Sequence, residues 1–349
     1  MSGGGECVPD QQLSGFLVDL ATALGDHDQA RVIAENTCSC QECAGDEAGR
    51  YDVDELPRSL DAIENLVAAP ALSQVLVAAQ ARRRPAPSVP TFATPFAASA
   101  GMLESVLAEV SEDVLRLPGP VLTWRVGDLV PHLAAGNALL ASALGLSVEP
   151  APGTAADLVG HTERLLATVA SWPRQRVQAL WRGGVESIAT LLRARPEIAT
   201  ELITVNGLPT TVGNHLIARA FETWIHARDI GAAAGLRVPP PPADSLGAMA
   251  NLAARLLSAL PARSATAPVG TVRLTLTGPG GGSWPVHVGA AASGAPSAGT
   301  ASAGLSLNTV EFCLLIADRR HPTQIRAEIE GDRALAAELL AIAPQLATP

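Results

Sequence analysis

Long amphipathic helical patterns fill residues 97–236 and limit most strongly what this chain can fold into. Apolar residues recur there at steps of three and four, as in Leu103, Leu107 and Val110, which places them on one face of a helix. The pattern predicts five helices, at 98–115, 126–144, 155–170, 174–193 and 210–234. Helices of this length with short connections bury their apolar faces best in a four- or five-helix bundle.

The composition favours the same fold class. Hydrophobic residues make up 48% of the 349 residues, whereas aromatic residues make up only 3%. The cores must therefore be built mainly from Ala, Leu and Val, which at helical spacing favour bundles over β-sandwiches. A chain of this length suits two or three domains.

A small α+β region is predicted after the prolines at 239–242. A helix at 245–260 precedes the stretch 272–276, in which apolar and polar residues alternate as in a half-buried strand. Glycines at 278–282 then turn the chain into a second strand at 284–288, which makes a hairpin. The pattern further predicts a low-complexity loop at 290–303, a strand at 304–307, an apolar helix at 310–317, a strand at 324–330 and a closing helix at 334–342.

Charge and cysteine content narrow the partners and the compartment. The net charge of -10 argues against nucleic acid as a partner, because phosphate binding needs a concentrated basic field. All 24 basic residues are arginine, which with the many alanines indicates a GC-rich genome such as that of an actinobacterium.

We expect no membrane contact, since no signal peptide or long apolar segment is recognisable. Five cysteines, an odd number, fit a reducing compartment, so we expect a cytoplasmic protein. Cys313, in an apolar helix, is expected in the core.

A carboxylate and an imidazole lie four residues apart in the last predicted bundle helix, at Glu222 and His226. That spacing places both side chains on the same helix face, where they can bind one ion. A Glu–His pair of this spacing is by itself more often a solvated pair or a polar patch. A third ligand is therefore needed before the pair indicates a metal site.

His132 is the candidate third ligand, since it interrupts an apolar helix face that a bundle can turn towards Glu222 and His226. A lone histidine on such a face is usually a hydrogen-bonded core residue. Two histidines with one carboxylate, however, are a ligand set of catalytic zinc, which leaves a coordination position open. Asp128, one turn before His132, and Asp229, three residues after His226, are expected to hold the ring nitrogens that do not bind the metal.

Pro131 lies directly before the candidate ligand and removes a helical hydrogen bond. A kink at this proline would displace His132. In that case His215, seven residues before Glu222 and on the same helix face, is the substitute ligand; otherwise it is a polar residue at the start of the helix.

Two segments resemble the paired signatures of the mycothiol-dependent maleylpyruvate isomerase family, within the DinB-like superfamily. The first is Trp124 with Asp-Leu-Val-Pro-His at 128–132, and the second is Arg-Ala-Phe-Glu-Thr-Trp-Ile-His-Ala-Arg-Asp at 219–229. Residues 312–319 and 331–336 resemble the small C-terminal α+β domain of that family. The resemblance covers roughly residues 95–345 and includes all three candidate metal ligands.

The resemblance implies zinc or another divalent metal bound by His132, Glu222 and His226. It also implies mycothiol as the thiol cosubstrate, which binds the metal as a thiolate and attacks an electrophilic carbon. We therefore expect an isomerase or a transferase that acts on a small, acidic substrate. By the same resemblance Arg319 is the catalytic residue expected to bind a substrate carboxylate, and the alternative is a surface arginine. Arg219 is expected either to orient Glu222 or to form a surface salt bridge.

The N-terminal cysteines form a second candidate metal site, made of Cys38, Cys40 and Cys43 with His27 or Cys7 as a fourth ligand. Thiolates at this spacing can share a zinc ion or a redox centre, and the alternative is a loop of free thiols. The segment resembles a degenerate zinc-binding anti-sigma domain, with Asn36 where that family has a histidine. A sigma factor or another protein is therefore the partner expected of this module.

These patterns predict a mainly α protein, with a DinB-like four-helix bundle, a small C-terminal α+β domain and a small helical N-terminal module. The expected segments are a helical cysteine-containing module at 1–85, a linker at 86–96, the metal-binding bundle at 97–238, and a helix with the α+β domain at 239–349. The N-terminal module supports an alternative function, a non-enzymatic anti-sigma-like or thiol-sensing regulator that uses the bundle as a ligand-binding platform.

Overall fold

A computed structural model describes most of the chain beyond the N-terminal module, at residues 86–148, 151, 157–261, 263–264, 266–289 and 301–347. Residues from Ala81 to Pro349 form one compact unit. The expected cysteine site with Cys38, Cys40 and Cys43 lies outside the described residues, and so does the predicted low-complexity loop up to residue 300. The expected domain boundaries stay predictions.

Helices dominate the first half of the described chain, as the periodicity predicted. They are α1 at Thr94–Glu109, α2 at Glu112–Leu115, α3 at Leu129–Ala143, α4 at Leu158–Val169, α5 at Arg174–Ala194 and α6 at Val212–Ala233. Helix α6 packs along α1, and α3 packs against both α4 and α5. The expected fold class, a mainly α protein built on a helical bundle, is confirmed.

The single helix expected at 98–115 is wrong, because the chain breaks after Glu109. Val110 has an extended backbone, and Ser111 begins the short helix α2 by accepting a hydrogen bond from the backbone N–H of Val114 at 3.5 Å. A serine that precedes two acidic residues is a typical start signal for a helix. The apolar periodicity continues across Ser111, so it predicted a single helix where the chain forms α1 and α2.

A β-hairpin that the helical pattern did not predict precedes α6. Strands β1 at Leu202–Val205 and β2 at Leu208–Thr211 pair antiparallel. Asn206 and Gly207 connect them with φ angles of 50° and 75°, the positive values that a two-residue type I′ turn needs. The Asn206 Oδ1 also accepts a hydrogen bond from the backbone N–H of Leu158 at 2.9 Å, which joins the hairpin tip to the start of α4.

The C-terminal region is the α+β structure that the sequence predicted. It contains α7 at Ala243–Leu257, β3 at Gly270–Thr277, β4 at Gly282–Val288, β5 at Ala303–Asn308, α8 at Thr309–Ile316, β6 at Glu328–Gly331 and α9 at Arg333–Ile342. The strand order is β4-β3-β5-β6, with β3 and β5 parallel and the other two pairings antiparallel. The predicted strand at 324–330 starts too early, since Pro322–Gln324 is a 3-10 turn.

Helix α6 joins the two halves of this unit. Ala227 and Ile230 on α6 belong to the bundle core, whereas Trp224 and Ile225 pack with residues of α7 and α8. Cys313 is fully buried and free, as expected, and burial raises the pKa of its thiol to about 12. No helix within the described ranges has both the length and the hydropathy to span a bilayer.

Candidate metal centre

Three potential metal ligands meet inside the bundle, from two helices. Glu222 and His226 lie one turn apart on α6, and His132 lies in the first turn of α3. One ligand atom of each residue lies within 4.8 Å of the other two. His132 Nε2 and Glu222 Oε1 are 2.6 Å apart, and the side chains of His132 and His226 are 0% and 4% exposed. The structure therefore brings together the set that the sequence singled out.

Pro131 does not displace His132. It is the third residue of α3, a position at which the backbone N–H has no acceptor within the helix, so a proline costs little there. The ring of Trp124 lies 5.0 Å from the ring of His132, between ring centroids, and covers it. His215, the possible substitute, is not part of the cluster. Its Nε2 lies 3.3 Å from the carbonyl oxygen of Ile203 in β1.

A threonine holds the second ring nitrogen of His132. The Nδ1 of His132 lies 3.1 Å from the Thr162 Oγ1, and that hydroxyl donates its own proton to the Leu158 carbonyl at 2.8 Å. Because the hydroxyl proton is used, Thr162 can only accept from His132, so Nδ1 carries the ring proton. The lone pair of Nε2 is then free to bind a metal.

Asp128 was expected in this role, and that expectation is wrong. Its Oδ2 accepts a hydrogen bond from the backbone N–H of Arg125 at 2.8 Å, which closes the 3-10 turn Val126–Asp128 before α3. A carboxylate at the start of a helix is attracted by the unpaired N–H groups there. The contact between Thr162 and His132 was not predicted, because the two residues are 30 positions apart on different helices. In the sequence, Thr162 is marked only by its place after His161 inside a predicted helix.

Asp229 holds His226 as expected. Its Oδ2 lies 3.0 Å from His226 Nδ1 and accepts that ring proton, which leaves Nε2 free for a metal. Arg319, just beyond α8, donates two hydrogen bonds to Asp229, from Nε to Oδ1 at 2.9 Å and from NH2 to Oδ2 at 2.8 Å. Its NH1 donates to the Ala317 carbonyl at 2.8 Å. Arg319 thus lies at the centre, but its contact is with Asp229, the carboxylate that accepts the ring proton of His226.

The donor atoms fit a divalent metal ion. His132 Nε2 and Glu222 Oε1 are both buried, and within the described part of the chain neither has a hydrogen-bond partner, because their 2.6 Å approach lacks hydrogen-bond geometry. A buried polar atom without a partner is costly and rare. One cation placed between these atoms and His226 satisfies both of them, and two neutral imidazoles with one carboxylate are a suitable ligand set.

Burial also keeps the imidazoles in the form that binds metals. Removal from water holds the pKa of His132 well below its usual value, and repulsion from Arg219, and from His226 when that ring is protonated, lowers it further. Burial likewise lowers the pKa of His226, although Asp229 opposes this shift. Burial alone would raise the pKa of Asp229, but hydrogen bonds from His226 and Arg319 outweigh it and lower that pKa. Both histidines are therefore neutral at neutral pH.

Two cavities lie on either side of Glu222. A cavity of about 190 Å³ is bounded by Glu222, His226 and Arg319 and by apolar residues of α6, α7 and α8. A second cavity, of about 170 Å³, lies between α3, the β1–β2 hairpin and α6, and it is lined by Glu222, Arg219 and His215. The guanidinium of Arg219 contacts Glu222 Oε2, so this arginine pairs with the carboxylate instead of lying on the surface.

Comparison with known protein families agrees with this geometry. A family model described as "Mycothiol maleylpyruvate isomerase N-terminal domain" matches residues 96–231, the segment that contains the complete triad. Two solved structures are similar, a mycothiol-dependent maleylpyruvate isomerase with 15% identity and a mutant of such an isomerase with 14% identity. Each alignment covers 68% of this chain and 91% of the other, with a TM-score of 0.47. No curated protein is significantly similar in sequence.

The family model carries the assignment, since it spans α1 to α6 almost completely and both signatures on which the resemblance rested. Residues 96–231 therefore match the family described as the mycothiol maleylpyruvate isomerase N-terminal domain.

Proposed function

We propose that this protein is a metal-dependent enzyme that uses mycothiol as a cosubstrate and isomerises, or transfers the thiol to, a small acidic electrophile. Zinc is the metal we propose for His132, Glu222 and His226. The family match supports mycothiol and an isomerase, and the donor set supports zinc. A cytoplasmic location remains part of the proposal.

The observation that carries the proposal is the state of the two imidazoles. Each has its Nδ1 proton held by a defined acceptor, Thr162 for His132 and Asp229 for His226, so each offers an unprotonated Nε2 at the same point. Glu222 adds one carboxylate oxygen that lacks a hydrogen bond. A structural histidine in a core has no need of such an arrangement, whereas a metal ligand does.

The residues around the triad have separate tasks in this reaction. A bound divalent metal supplies a Lewis acid that lowers the pKa of a thiol and keeps it as a thiolate at neutral pH. Thr162 and Asp229 fix the direction of the imidazoles, and Arg319 fixes Asp229. Three protein ligands leave a fourth position for the thiol. The apolar residues of α7 and α8 that line the 190 Å³ cavity give it a mainly apolar surface beside the triad.

Metal analysis of the purified full-length chain tests this proposal. We expect one zinc ion that is lost in His226→Ala, because the remaining two ligands bind a divalent ion too weakly to retain it through dialysis. His321→Ala is the matched control, since His321 is exposed and bonds only Thr323 and Gln324 locally. Since the N-terminal cysteines are a second candidate site, the comparison between these two variants decides the result. Equal zinc content in His226→Ala and His321→Ala would refute the metal assignment.

Activity is measured on the same samples. With maleylpyruvate as the test substrate, isomerisation should require both mycothiol and the zinc that His226→Ala lacks. If the chain binds zinc but shows no mycothiol-dependent turnover of maleylpyruvate, the metal centre is supported and the substrate is a different electrophile. Turnover that persists without mycothiol would contradict the proposed thiol chemistry.

A further inference from the structure

Two arginines lie next to the candidate metal centre, and they differ in how many of their donors are engaged. Three nitrogens of Arg319 already donate hydrogen bonds, two of them to Asp229, which in turn holds His226. The Nε–NH2 edge of Arg319 is committed to Asp229, and a substrate carboxylate on that edge would free the ring of a candidate metal ligand. An arginine cation with more uncommitted donors is better placed to take a substrate anion.

Arg219 is that cation. Its side chain is 10% exposed, and Glu222 is its only ion-pair or hydrogen-bond partner among the described residues. It lines the 170 Å³ cavity on the side of Glu222 that faces the hairpin, together with His215 and the turn residue Asn206. Burial lowers the pKa of Arg219 to about 10, so the guanidinium remains charged at neutral pH. A charged side chain with free donors therefore borders an empty space beside the metal ligand.

Gly136 on α3 makes room for this guanidinium. A Cβ atom at Gly136 would overlap the NH1 of Arg219, which is the far end of a flexible side chain and would have to shift. The glycine thus lets the guanidinium approach the backbone of α3 at the edge of the cavity.

The buried charges leave the loaded centre short of negative charge. Arg219 pairs with Glu222, and Arg319 pairs with Asp229, so these four charges cancel. A divalent ion adds two positive charges, of which a thiolate compensates one. Buried charges are stable only when they are paired. An anionic group of the substrate close to the metal ligands would compensate the remaining charge.

We propose that Arg219 and the cavity between α3, the β1–β2 hairpin and α6 form an anion subsite that binds a carboxylate of the substrate. This inference rests on the proposed function, because it assumes an acidic substrate. It assigns to Arg219 the substrate contact that the sequence suggested for Arg319. Arg319 then acts as a positioning residue through Asp229.

Succinate is a suitable probe, because it is a small dicarboxylate that does not react with thiols, and succinamide is its neutral control. Calorimetric titration of the full-length, zinc-loaded chain should show binding of succinate but not of succinamide. Arg219→Gln should weaken succinate binding by about tenfold or more, and Arg219→Lys by a smaller factor, because lysine keeps the charge without the fork. Gly136→Ala should weaken it by a smaller factor than Arg219→Gln, since the guanidinium must shift but keeps its charge.

Gly184→Ala is the matched control for the glycine variant. Gly184 also lies inside a bundle helix, α5, but its added Cβ would meet only ordinary contact with Asn137 at 3.5 Å. Circular dichroism and zinc content are measured for every variant, so that unfolding is separated from loss of the subsite. If Arg219→Gln fails to fold, Arg219→Lys and Gly136→Ala decide the question with the charge intact.

The outcomes are distinct. Succinate affinity that is unchanged in folded Arg219→Lys and Gly136→Ala would overturn the subsite, and so would a loss of affinity confined to Arg319→Gln. If the wild-type chain retains no zinc, the proposed function fails by itself, and the titration is repeated on that metal-free chain. Binding that still depends on Arg219 there would support the subsite independently of the metal.

Discussion

Replacement of Thr162 by valine tests most directly how the metal centre is held. Valine has the shape of threonine but lacks the hydroxyl that accepts the Nδ1 proton of His132 at 3.1 Å. Thr162 is fully buried, so water cannot replace the lost oxygen. The ring proton is then free to move to Nε2, where Glu222 is 2.6 Å away, and that tautomer cannot bind a metal.

The magnitude follows from this geometry. Leaving Nδ1 without a partner should cost the metal-free protein about 1–3 kcal/mol in unfolding free energy. Loss of the group that orients a metal-binding histidine typically weakens metal affinity by about tenfold to a hundredfold, equivalent to about 1.4–2.8 kcal/mol. Thr162→Ser keeps the hydroxyl, so its zinc affinity should stay near that of the wild type, although the lost methyl group lowers stability slightly.

Zinc affinity is measured by competition with a chromophoric chelator, and stability by thermal unfolding of the metal-free chain. Thr168→Val is the matched control, because Thr168 lies on the same helix and donates an equivalent hydrogen bond to the Arg164 carbonyl at 2.9 Å, but on the exposed face. If Thr162→Val binds zinc as tightly as Thr168→Val, the tautomer argument is wrong. A loss of affinity that Thr162→Ser shares would point to packing instead of the hydroxyl.

Two further predictions follow from charged groups outside the triad. Arg319→Lys should lower zinc affinity about threefold to tenfold, because one ammonium cannot replace the two parallel hydrogen bonds to Asp229. An unchanged zinc affinity with a raised KM would instead favour direct binding of substrate by Arg319, as the sequence suggested. His161 is buried, and burial, with the charge of Arg164, lowers its pKa although Asp157 opposes the shift. As the pH falls below about 6.5, His161 is therefore protonated in the unfolded chain before it is protonated in the folded chain. The free energy of unfolding should decrease from pH 7.5 to pH 5.5. In His161→Gln that decrease should be smaller, and thermal unfolding curves in which both chains lose equal stability would contradict the assignment.

The sequence was sufficient to bring together the candidate ligands and to predict most helices, for a common physical reason. Glu222 and His226 lie on one helix, so their juxtaposition depends only on the helical repeat, which the sequence carries directly. The pairing of Asp229 with His226 depends on the same repeat and is confirmed. His132 joined them because a polar residue on an otherwise apolar stretch needs a partner inside the core.

Interactions between helices were beyond the same reasoning. Asp128 was expected to hold His132 because it is near in sequence, yet the turn before α3 needed its carboxylate for a backbone N–H. Which residue of a facing helix lies opposite His132 depends on the rotation and offset of α4, and the helical repeat fixes neither. The contact of Thr162 with His132, and the different partners of Arg219 and Arg319, could therefore be recognised only from the structure.

The β1–β2 hairpin was missed for a different reason, since its signal was present. Asn-Gly at 206–207 is the preferred pair for a two-residue turn, and it stands between Leu-Ile-Thr-Val and Leu-Pro-Thr-Thr. The helical pattern assigned no element to residues 194–209, and it began the next helix at residue 210, inside β2. Local turn chemistry was the better guide here, as it was at Ser111.

The links that converge on α6 have a consequence for the order in which the chain folds. Arg319 and Asp229 are 90 residues apart in sequence, and His132 and Glu222 are separated by an equally long stretch. These two stretches follow one another along the chain, so they close two consecutive loops that meet within about two turns of α6. Long loops are closed late, because the entropy of closure must be spent before the contact forms. The centre can therefore be complete only after both loops have closed, and partial opening of either half dismantles it.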